Sequence, residues 1–553
     1  MAAKYIPYLL ILLLTARSAA AQRTAVDTAK QVGTTLLIKH GDLLRMDAID
    51  SVHTLTSLSK IKGGRQSYVS QDKTDFFADS MVVNHYDNSL EAFGNVHIND
   101  ADSVHTYAQY VKYLGKEKKA FLKRKVRLTD GKGELTTEEL EYDVTVKIGT
   151  YLKGGKLVNK KSVLTSTEGY YYGETKDVIF KKKVVLIDPE YKVITDTLQY
   201  NTNTEIANFT SPTTIYSDSG RRTIKTRLGY FDMKNKRGIL NKRSVAEDST
   251  ATFTADDMAV DDSTKMDEFR GNVVYRGKDT AKGYDLIANN VKTNRKKDIF
   301  LATQKPILII KQGKDSVFVT ADTFYSARLS DLKKFRQLPD VRDSAGRDTL
   351  SPPVDYSIKA DSSNNKYFEA YYNVKIYMDS VQSVCDSLFY SLQDSVFRLF
   401  KNPVLWSRNS QVTGDTIYLY IKNKNPERLY VFENAMAIGR VDSTQYFNQA
   451  KSNTINARFF DGKISSLHLK GSAENVYYSQ DEKNRFRSVD KAKSSAINIL
   501  FDSNNKVRRI SYIQGYDDIQ YPMRQINHEE LKLRGFKWLE DRRPKSKFDI
   551  LGN

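Results

Sequence analysis

The stretch DNSLEAFGNVHIND, Asp87 to Asp100, alternates apolar and polar residues. Its apolar face consists of Leu90, Ala92, Gly94, Val96 and Ile98. Phe93 is the one large apolar residue on the opposite, polar face. Alternation of apolar and polar residues with a period of two is typical of a β-strand in a sheet that has one buried face. The stretch therefore predicts a strand that buries one face.

Parts of this stretch return along the chain. The Asn-Val step recurs in FRGNVVYRG from Phe269, in YYNVKIYMD from Tyr371 and in AENVYYSQD from Ala473. A second motif, a small residue followed by Asp, begins other alternating strands about 30 residues apart, or about twice that, which is typical of stacked repeats. We predict an all-β fold, an elongated antiparallel β-jellyroll or folded-sheet stack of repeated strand-turn-strand units of about 30 residues.

The apolar phase of these strands also predicts which side chains point into the shared interior. A single unit buries only one face, so stacked units must enclose a continuous apolar surface. The inward-facing candidates are Leu90, Val96, Ile98, Val184, Leu186, Val273, Tyr275, Val374 and Ile376.

The amino terminus has the order of a secretory signal peptide. Lys4 precedes an apolar run, Ile6 to Leu14, and small residues follow, so we predict cleavage between Ala21 and Gln22. Cleavage would lower the net charge from +19 to +17, because it removes Lys4 and Arg17 and no acid. An exported basic surface suits anionic partners, although lysines also protect exposed β-edges. A lone cysteine excludes an intramolecular disulfide.

Breaks in the repeat pattern predict the domain organisation. A proline-containing stretch without apolar periodicity interrupts the repeats, and they fade again near residue 520. In the tail, Asn527 and Gly535 have the spacing of a helix cap and a helix end, which predicts a short helix. The predicted units are a signal peptide (1–21), a β-repeat domain (22–335), a linker or long loop (336–357), a second β-repeat segment (358–520) and a capping or docking tail (521–553).

The repeats resemble the OstA-like (LptA-like) family of lipopolysaccharide-transport proteins. The best matches pair Ala78-Asp79-Ser80 with Gly94-Asn95-Val96, and Ala255-Asp256-Asp257 with Gly271-Asn272-Val273. The resemblance implies a non-enzymatic periplasmic carrier or bridge that holds the acyl chains of lipopolysaccharide, or its lipid A moiety, in an apolar β-groove. The nine inward-facing residues would then line the groove, and Lys181, Lys182 and Lys183 at its rim would meet lipid phosphates or simply face solvent. The implied protein partners are similar jellyroll proteins or an outer-membrane barrel, joined edge to edge.

No catalytic signature appears in the chain, so we predict no enzyme activity, cofactor or metal site. His97 and His105 can approach each other across a turn, but a metal pair is the less favoured interpretation. The recurring Asp79, Asp196, Asp256 and Asp322 fit turn positions better than paired catalytic carboxylates. Nucleic acid is not expected as a partner of an exported chain. An alternative function is an exported glycan-binding or polysaccharide-degrading β-solenoid protein, and a structural adhesin is a third hypothesis.

Overall fold

The structure is a computed structural model that describes most of the chain. It covers residues 35–50, 53–278, 283–312, 315–335, 365–394, 396–422, 425–441, 444–461, 463–481 and 483–551. The predicted signal peptide, with Ala21 and Gln22, and the predicted linker 336–357 lie outside these ranges and remain predictions. Within the ranges, no helix combines the length and the apolar character that a membrane crossing requires.

The described residues form 42 antiparallel strands and two short α-helices. The strands before residue 205 are β1 Leu37–His40, β2 Leu43–Ala48, β3 Thr54–Ser59, β4 Ser67–Gln71, β5 Thr74–Ala78, β6 Ser80–Asn84, β7 Ser89–Asp100, β8 Val104–Leu114, β9 Lys119–Thr129, β10 Gly133–Asp143, β11 Ile148–Tyr151, β12 Gly155–Asn159, β13 Ser162–Ser166, β14 Glu168–Tyr172, β15 Asp177–Ile187 and β16 Lys192–Asn201. Those up to residue 335 are β17 Ile206–Phe209, β18 Thr213–Ser217, β19 Arg222–Thr226, β20 Leu228–Asp232, β21 Arg237–Asn241, β22 Ser244–Glu247, β23 Ala251–Ala255, β24 Asp257–Asp261, β25 Met266–Gly277, β26 Tyr284–Asn294, β27 Ile299–Thr303, β28 Ile307–Gln312, β29 Asp315–Thr320 and β30 Thr323–Ala327, followed by α1 Leu329–Phe335. The remainder are β31 Tyr367–Tyr377, β32 Gln382–Ser391, β33 Val396–Phe400, β34 Val404–Ser407, β35 Ser410–Thr413, β36 Thr416–Lys422, β37 Asn425–Arg440, β38 Phe447–Phe460, β39 Lys463–Gln480, β40 Phe486–Phe501, β41 Val507–Ile513 and β42 Asp517–Pro522, with α2 Phe548–Leu551 in the tail.

The sheet is folded into two facing walls. Wall A contains β6 and the first half of β7, whereas wall B contains β5 and the second half of β7. Later long strands divide in the same way, and shorter strands such as β11 and β12 belong to one wall each. Because β31 pairs with both β29 and β30, the ladder continues between the two predicted repeat segments. The predicted all-β folded-sheet stack is confirmed.

The long strands pass between the walls at corners of two alternating kinds. Strands such as β7, β9, β15 and β25 turn at two residues with positive φ, and their partners β8, β10 and β16 turn at one residue. In β7 these residues are Gly94, with φ of 72°, and Asn95, with φ of 45°. The Asn95 side-chain amide donates to Asp79 Oδ2 at 2.8 Å, and the Asp79 N–H donates to the Gly94 carbonyl at 2.9 Å. The same side-chain bond joins Asn272 to Asp256, Asn373 to Asp322 and Asn434 to Asp415. The recurring Asn-Val and Ala-Asp motifs are therefore the two halves of one repeated corner.

Alanine at a corner glycine should destabilise the fold more than its backbone conformation alone requires. Gly271 has φ of 71°, and a Cβ there would lie 2.8 Å from Asp256 Oδ2. A left-handed alanine costs about 1–2 kcal/mol, and disturbing the Asn272–Asp256 bond adds about 1 kcal/mol. The matched control is Gly131→Ala, since Gly131 has φ of 81° with nothing within 4 Å of a new Cβ. Urea unfolding should show the larger loss in Gly271→Ala, and equal losses would contradict the corner role.

Between the walls lies one continuous apolar core. It extends from Leu36 in the first rung to Ile499 near the last. Alternate residues of nearly every strand enter it, because successive side chains of a strand point to opposite faces of the sheet. The two-residue corners keep the alternation in phase, so Ala92 before the corner of β7 and Val96 after it are both buried.

The tail folds back over the outer face of wall B in the second half of the chain. Leu531 and Leu533 are buried against a cluster that includes Met436 and Tyr478. Three buried glutamines hold the tail: Gln449 accepts from the Leu533 N–H at 2.8 Å, Gln411 bonds the backbone of Lys537 and Leu539, and Gln382 accepts from Arg543. Turns occupy residues 528–532, so the short helix predicted there is wrong. The tail forms a strap across several strands.

Candidate functional site

The nine predicted groove residues all contribute to the apolar interior. Eight of them, all except Tyr275, are between 0% and 4% exposed. Tyr275 is only partly buried and packs against the core. The structure brings the nine together along one core, in the inward register that the alternation predicts. Their contact with lipid remains a prediction.

The predicted groove-rim lysines lie elsewhere. Lys182 and Lys183 have positive φ and form the corner of β15, and the Lys182 ammonium bonds the Glu168 carboxylate. Lys181 lies beside them, with its ammonium 5.0 Å from the centre of the Tyr170 ring. Their placement at the rim is wrong, because the middle of a long strand is where this sheet folds. The open edges of the walls are instead the strand ends.

The strand ends of the two walls meet along a line that we call the seam. The turn between β4 and β5 meets the turn between β8 and β9 there, where Lys118 Nζ lies 2.6 Å from Asp72 Oδ2. Gln71 donates to the Gly115 carbonyl at 3.1 Å between the same turns. A further rung is closed by Lys160, which bonds Glu205. The interior is thus bounded by the corners on one side and by the seam on the other.

A ladder of tyrosines closes the first part of the seam from inside. Cross-strand pairing places Tyr113, Tyr142, Tyr171 and Tyr200 in one row of wall A, with the small residues Ala120, Gly149 and Val178 between them. The Tyr113 hydroxyl donates to Gln71 at 2.5 Å and the Tyr142 hydroxyl to Asp100 at 2.8 Å. Asn159 donates to the Tyr200 hydroxyl at 3.1 Å. Each of these bonds joins wall A to the end of a wall B strand.

The ladder hydroxyls keep their protons. Burial, followed by the Asp100 charge, raises the pKa of Tyr142, and burial with the Asp130 carboxylate raises the pKa of Tyr171. Burial raises the pKa of Tyr200 to about 12. The alternation pattern did not predict the ladder, although its four tyrosines follow one another at intervals of 29 residues. That spacing, read together with the repeat period, was the available signal.

The ladder ends where the seam opens. Pairing through Ala207 places Phe231, which has no hydroxyl, next after Tyr200 in the row. The row then continues through Gly238 and Val260 to Asp267. Beyond this point lies a cavity of about 480 Å³, which we call the seam opening. Its aromatic lining residues are Phe253, Phe269, Tyr275, Tyr284 and Phe300.

The aromatic rings of the seam opening contact one another. Phe253 lies 4.5 Å from Phe269 and 4.8 Å from Tyr275, measured between ring centres. Tyr284 stacks on Tyr275 at 5.0 Å, and Phe300 of wall A lies 6.4 Å from Tyr275 of wall B. Phe253, Tyr275 and Phe300 also pack on the apolar core. The opening is therefore a polar-rimmed recess whose floor is continuous with the interior.

A cluster of buried charges lies beside the opening. Arg222 Nη2 lies 3.1 Å from Asp267 Oδ2, and Arg295 Nε lies 2.9 Å from the same oxygen. Arg295 also bonds Asp262, which accepts from the Tyr191 hydroxyl at 2.7 Å. Burial alone would raise the pKa of Asp262, but the bonds from Tyr191 and Arg295 outweigh it and lower that pKa. The four charges neutralise one another and fix the two walls at this rung.

The predicted approach of His97 and His105 is confirmed. His97 Nε2 and His105 Nδ1 are 3.1 Å apart on the outer face of wall B, and the His97 ring stacks on Tyr107 at 4.5 Å. Burial and the neighbouring His105 and Arg127 lower the pKa of His97. Among the described residues, no group of three or more His, Cys, Asp or Glu side chains is arranged to hold a metal ion.

Comparison with known proteins finds a similarity over part of the chain. No curated protein matches the chain. The family model described as OstA-like protein matches residues 34–196, which contain the first three tyrosines of the ladder, Tyr113, Tyr142 and Tyr171. The resemblance drawn from the repeats is confirmed over this range, where the chain is similar to the OstA-like family.

Proposed function

We propose that the protein is a non-enzymatic periplasmic carrier or bridge for lipopolysaccharide that holds acyl chains between its two walls. The observation that carries the proposal is the continuous apolar core, which crosses every rung from Leu36 to Ile499. A core of this shape presents an uninterrupted apolar path rather than a closed pocket. The OstA-like match supports the proposal, because that family consists of transport proteins.

The seam is where we propose that the interior accepts the chain. Removing an acyl chain of about 12 methylenes from water is favourable by about 10 kcal/mol. A ladder hydrogen bond to a carboxylate, such as Tyr142–Asp100, contributes about 1.5–3 kcal/mol net. Lipid also replaces the apolar contacts that the walls make with each other. The gain from one acyl chain therefore exceeds the loss of two or three ladder bonds.

The first rung supports the partner proposal. Among the described strands, β1 pairs only with β4 and β2 only with β3, so each wall ends in a free strand edge. Leu43, Leu44 and Met46 of β2 are exposed there. Free edges with apolar side chains suit strand addition by a similar jellyroll protein or by the periplasmic part of a barrel.

Crosslinking to lipid A tests the carrier. Small diazirine amino acids at positions 96 and 273, both inward, should capture lipid A. The matched control is position 274, the next residue of the same strand, whose side chain faces outward. Capture at 96 and 273 but not at 274 supports the proposal. Equal capture at all three positions, or none at 96 and 273, contradicts it. In the native cell, depletion should slow the arrival of lipopolysaccharide at the surface.

A further inference from the structure

We infer that the seam opening is a permanently open binding site on the side of the stack, called the entrance below. It binds single-chain amphiphiles with an uncharged, hydroxyl-bearing head group. The inference goes beyond the proposed function, since it assigns a second, uncharged class of ligand to a place in the middle of the chain where an apolar tail reaches the interior without opening the tyrosine ladder. The cavity of about 480 Å³ lies within the 300–1,000 Å³ of typical ligand sites.

The floor of the opening fits an alkyl chain. Tyr275 and Phe300 come from opposite walls and leave a cavity between the walls that is lined by aromatic rings. Phe269 at the bottom is 1% exposed and belongs to the core itself. An alkyl chain that enters between the rings therefore passes from a solvent-exposed rim onto apolar surface that is continuous with the interior.

The rim fits a head group without net charge. Three of its four cations are in ion pairs: Arg222 with Asp267, Arg295 with Asp262, and Lys366, whose Nζ lies 3.2 Å from Asp298 Oδ2. The fourth, Arg221, is exposed and donates to the Asp218 backbone carbonyl at 3.2 Å. Five carboxylates line the same opening: Asp218, Glu247, Asp248, Asp267 and Asp298. An anionic head would meet more carboxylates than cations there, whereas hydroxyl groups can bond carboxylate and guanidinium edges that remain paired. Aromatic rings beside paired charges also offer the apolar faces on which sugar rings pack. The expected class is an alkyl glycoside or a glycolipid chain.

The interruption of the ladder places the entrance at this rung. In the preceding rungs, hydroxyls of wall A bond the strand ends of wall B, as in Tyr113–Gln71 and Asn159–Tyr200. At Phe231 the hydroxyl is missing, and the row reaches the charged Asp267 instead of another tyrosine. The walls are held at this rung by the ion cluster, whose Arg222, Asp267 and Arg295 form part of the cavity lining. Rings from both walls, such as Phe253 and Phe269, form another part.

Calorimetry with soluble probes tests the entrance. Dodecyl maltoside, below its micellar concentration, should bind the full chain at least ten times more tightly than maltose or dodecyl phosphate. Tyr284→Ala removes an aromatic ring that is 37% exposed at the mouth and should weaken dodecyl maltoside binding about tenfold. Tyr230→Ala is the matched control, because Tyr230 is 39% exposed and does not line the opening. Equal weakening in both variants, or none in Tyr284→Ala, would overturn the inference.

The location of binding separates this inference from the carrier proposal. A dodecyl maltoside with a diazirine in its chain should label peptides from residues 246–253 and 267–300. Labelling confined to the exposed strands β1–β3 would overturn the entrance. Capture of lipid A at position 96 without labelling of the opening would contradict the entrance inference and would still support the carrier proposal. Labelling of the opening without capture of lipid A at position 96 would support the entrance inference and contradict the carrier proposal.

Discussion

Val273→Asp should unfold the middle of the stack. Val273 is 0% exposed, opposite Ala288 and within the continuous core. Val273 packs among apolar side chains of this core, so burying a new carboxylate there costs several kcal/mol, and the loss should exceed about 4 kcal/mol. Because each rung contacts mainly its neighbours, hydrogen exchange should accelerate most in β23–β28 and least in β5–β10.

The neighbouring Val274→Asp provides the control. Val274 is the same residue type one step along β25, and its side chain lies on the outer, partly exposed face. There the carboxylate keeps its water, so we expect a loss of about 1 kcal/mol or less. Similar losses in the two variants would show that the alternation does not define the inner face, and the positions chosen for lipid crosslinking would lose their basis.

The architecture was predictable because two regularities agree. Period-two alternation marks the inner face within a strand, and the 30-residue repeat marks the rungs. Val96 and Val184, on strands separated by many residues, were assigned to one interior on this basis and are both buried. The two-residue corners of the strands that carry these residues preserve the phase, so their inner face was predictable without knowing that the strands fold in half. The one-residue corners of the partner strands shift the phase, as in β8, where Ala108 and Val111 are both buried.

The location of the seam was not predictable from alternation. Lys181–Lys183 look like the rim of a groove, since a basic run interrupts an apolar strand, yet the backbone turns the corner there. The edge at which the two walls meet is fixed by hydrogen-bonded pairs about 42 residues apart in the chain, such as Tyr142 with Asp100. A single strand carries no signal for such pairs. The seam opening similarly depends on the absence of one hydroxyl, at Phe231, and on five rings contributed by several strands.

The tail shows a different limit. Asn527 and Gly535 have helix-boundary spacing, but the intervening residues form turns. Leu531 and Leu533 are two residues apart, and both enter the same apolar cluster on wall B. A helix would place them about 200° apart, so tertiary burial favours an extended path over local capping. The buried glutamines that hold this path lie more than 80 residues away along the chain.

Arg222→Met should cost about 3 kcal/mol of unfolding free energy at pH 7. The Arg222 side chain is 9% exposed and that of Asp267 is 2% exposed, so the variant leaves a buried carboxylate with only Arg295 beside it. Breaking a buried pair by removing one partner costs roughly 3–5 kcal/mol, and the remaining Arg295 places this case at the low end. The control is Arg237→Met, whose pair with Asp261 has an arginine that is 61% exposed, for which about 0–1 kcal/mol is expected.

Acid should reduce the contribution of this cluster. The pKa of Asp262 is lower in the folded chain than its ordinary value of 3.8, so its stabilisation is fully present above that value and is lost as the pH falls through the folded pKa. Removing Arg222 takes away one of the charges that lower this pKa. The stability difference between wild type and Arg222→Met should therefore be largest near pH 7 and shrink below about pH 4. Urea unfolding at pH 7 and pH 3, with hydrogen exchange of β19 and β25, measures it. A difference independent of pH would mean that Arg222 stabilises the seam by packing and not by charge.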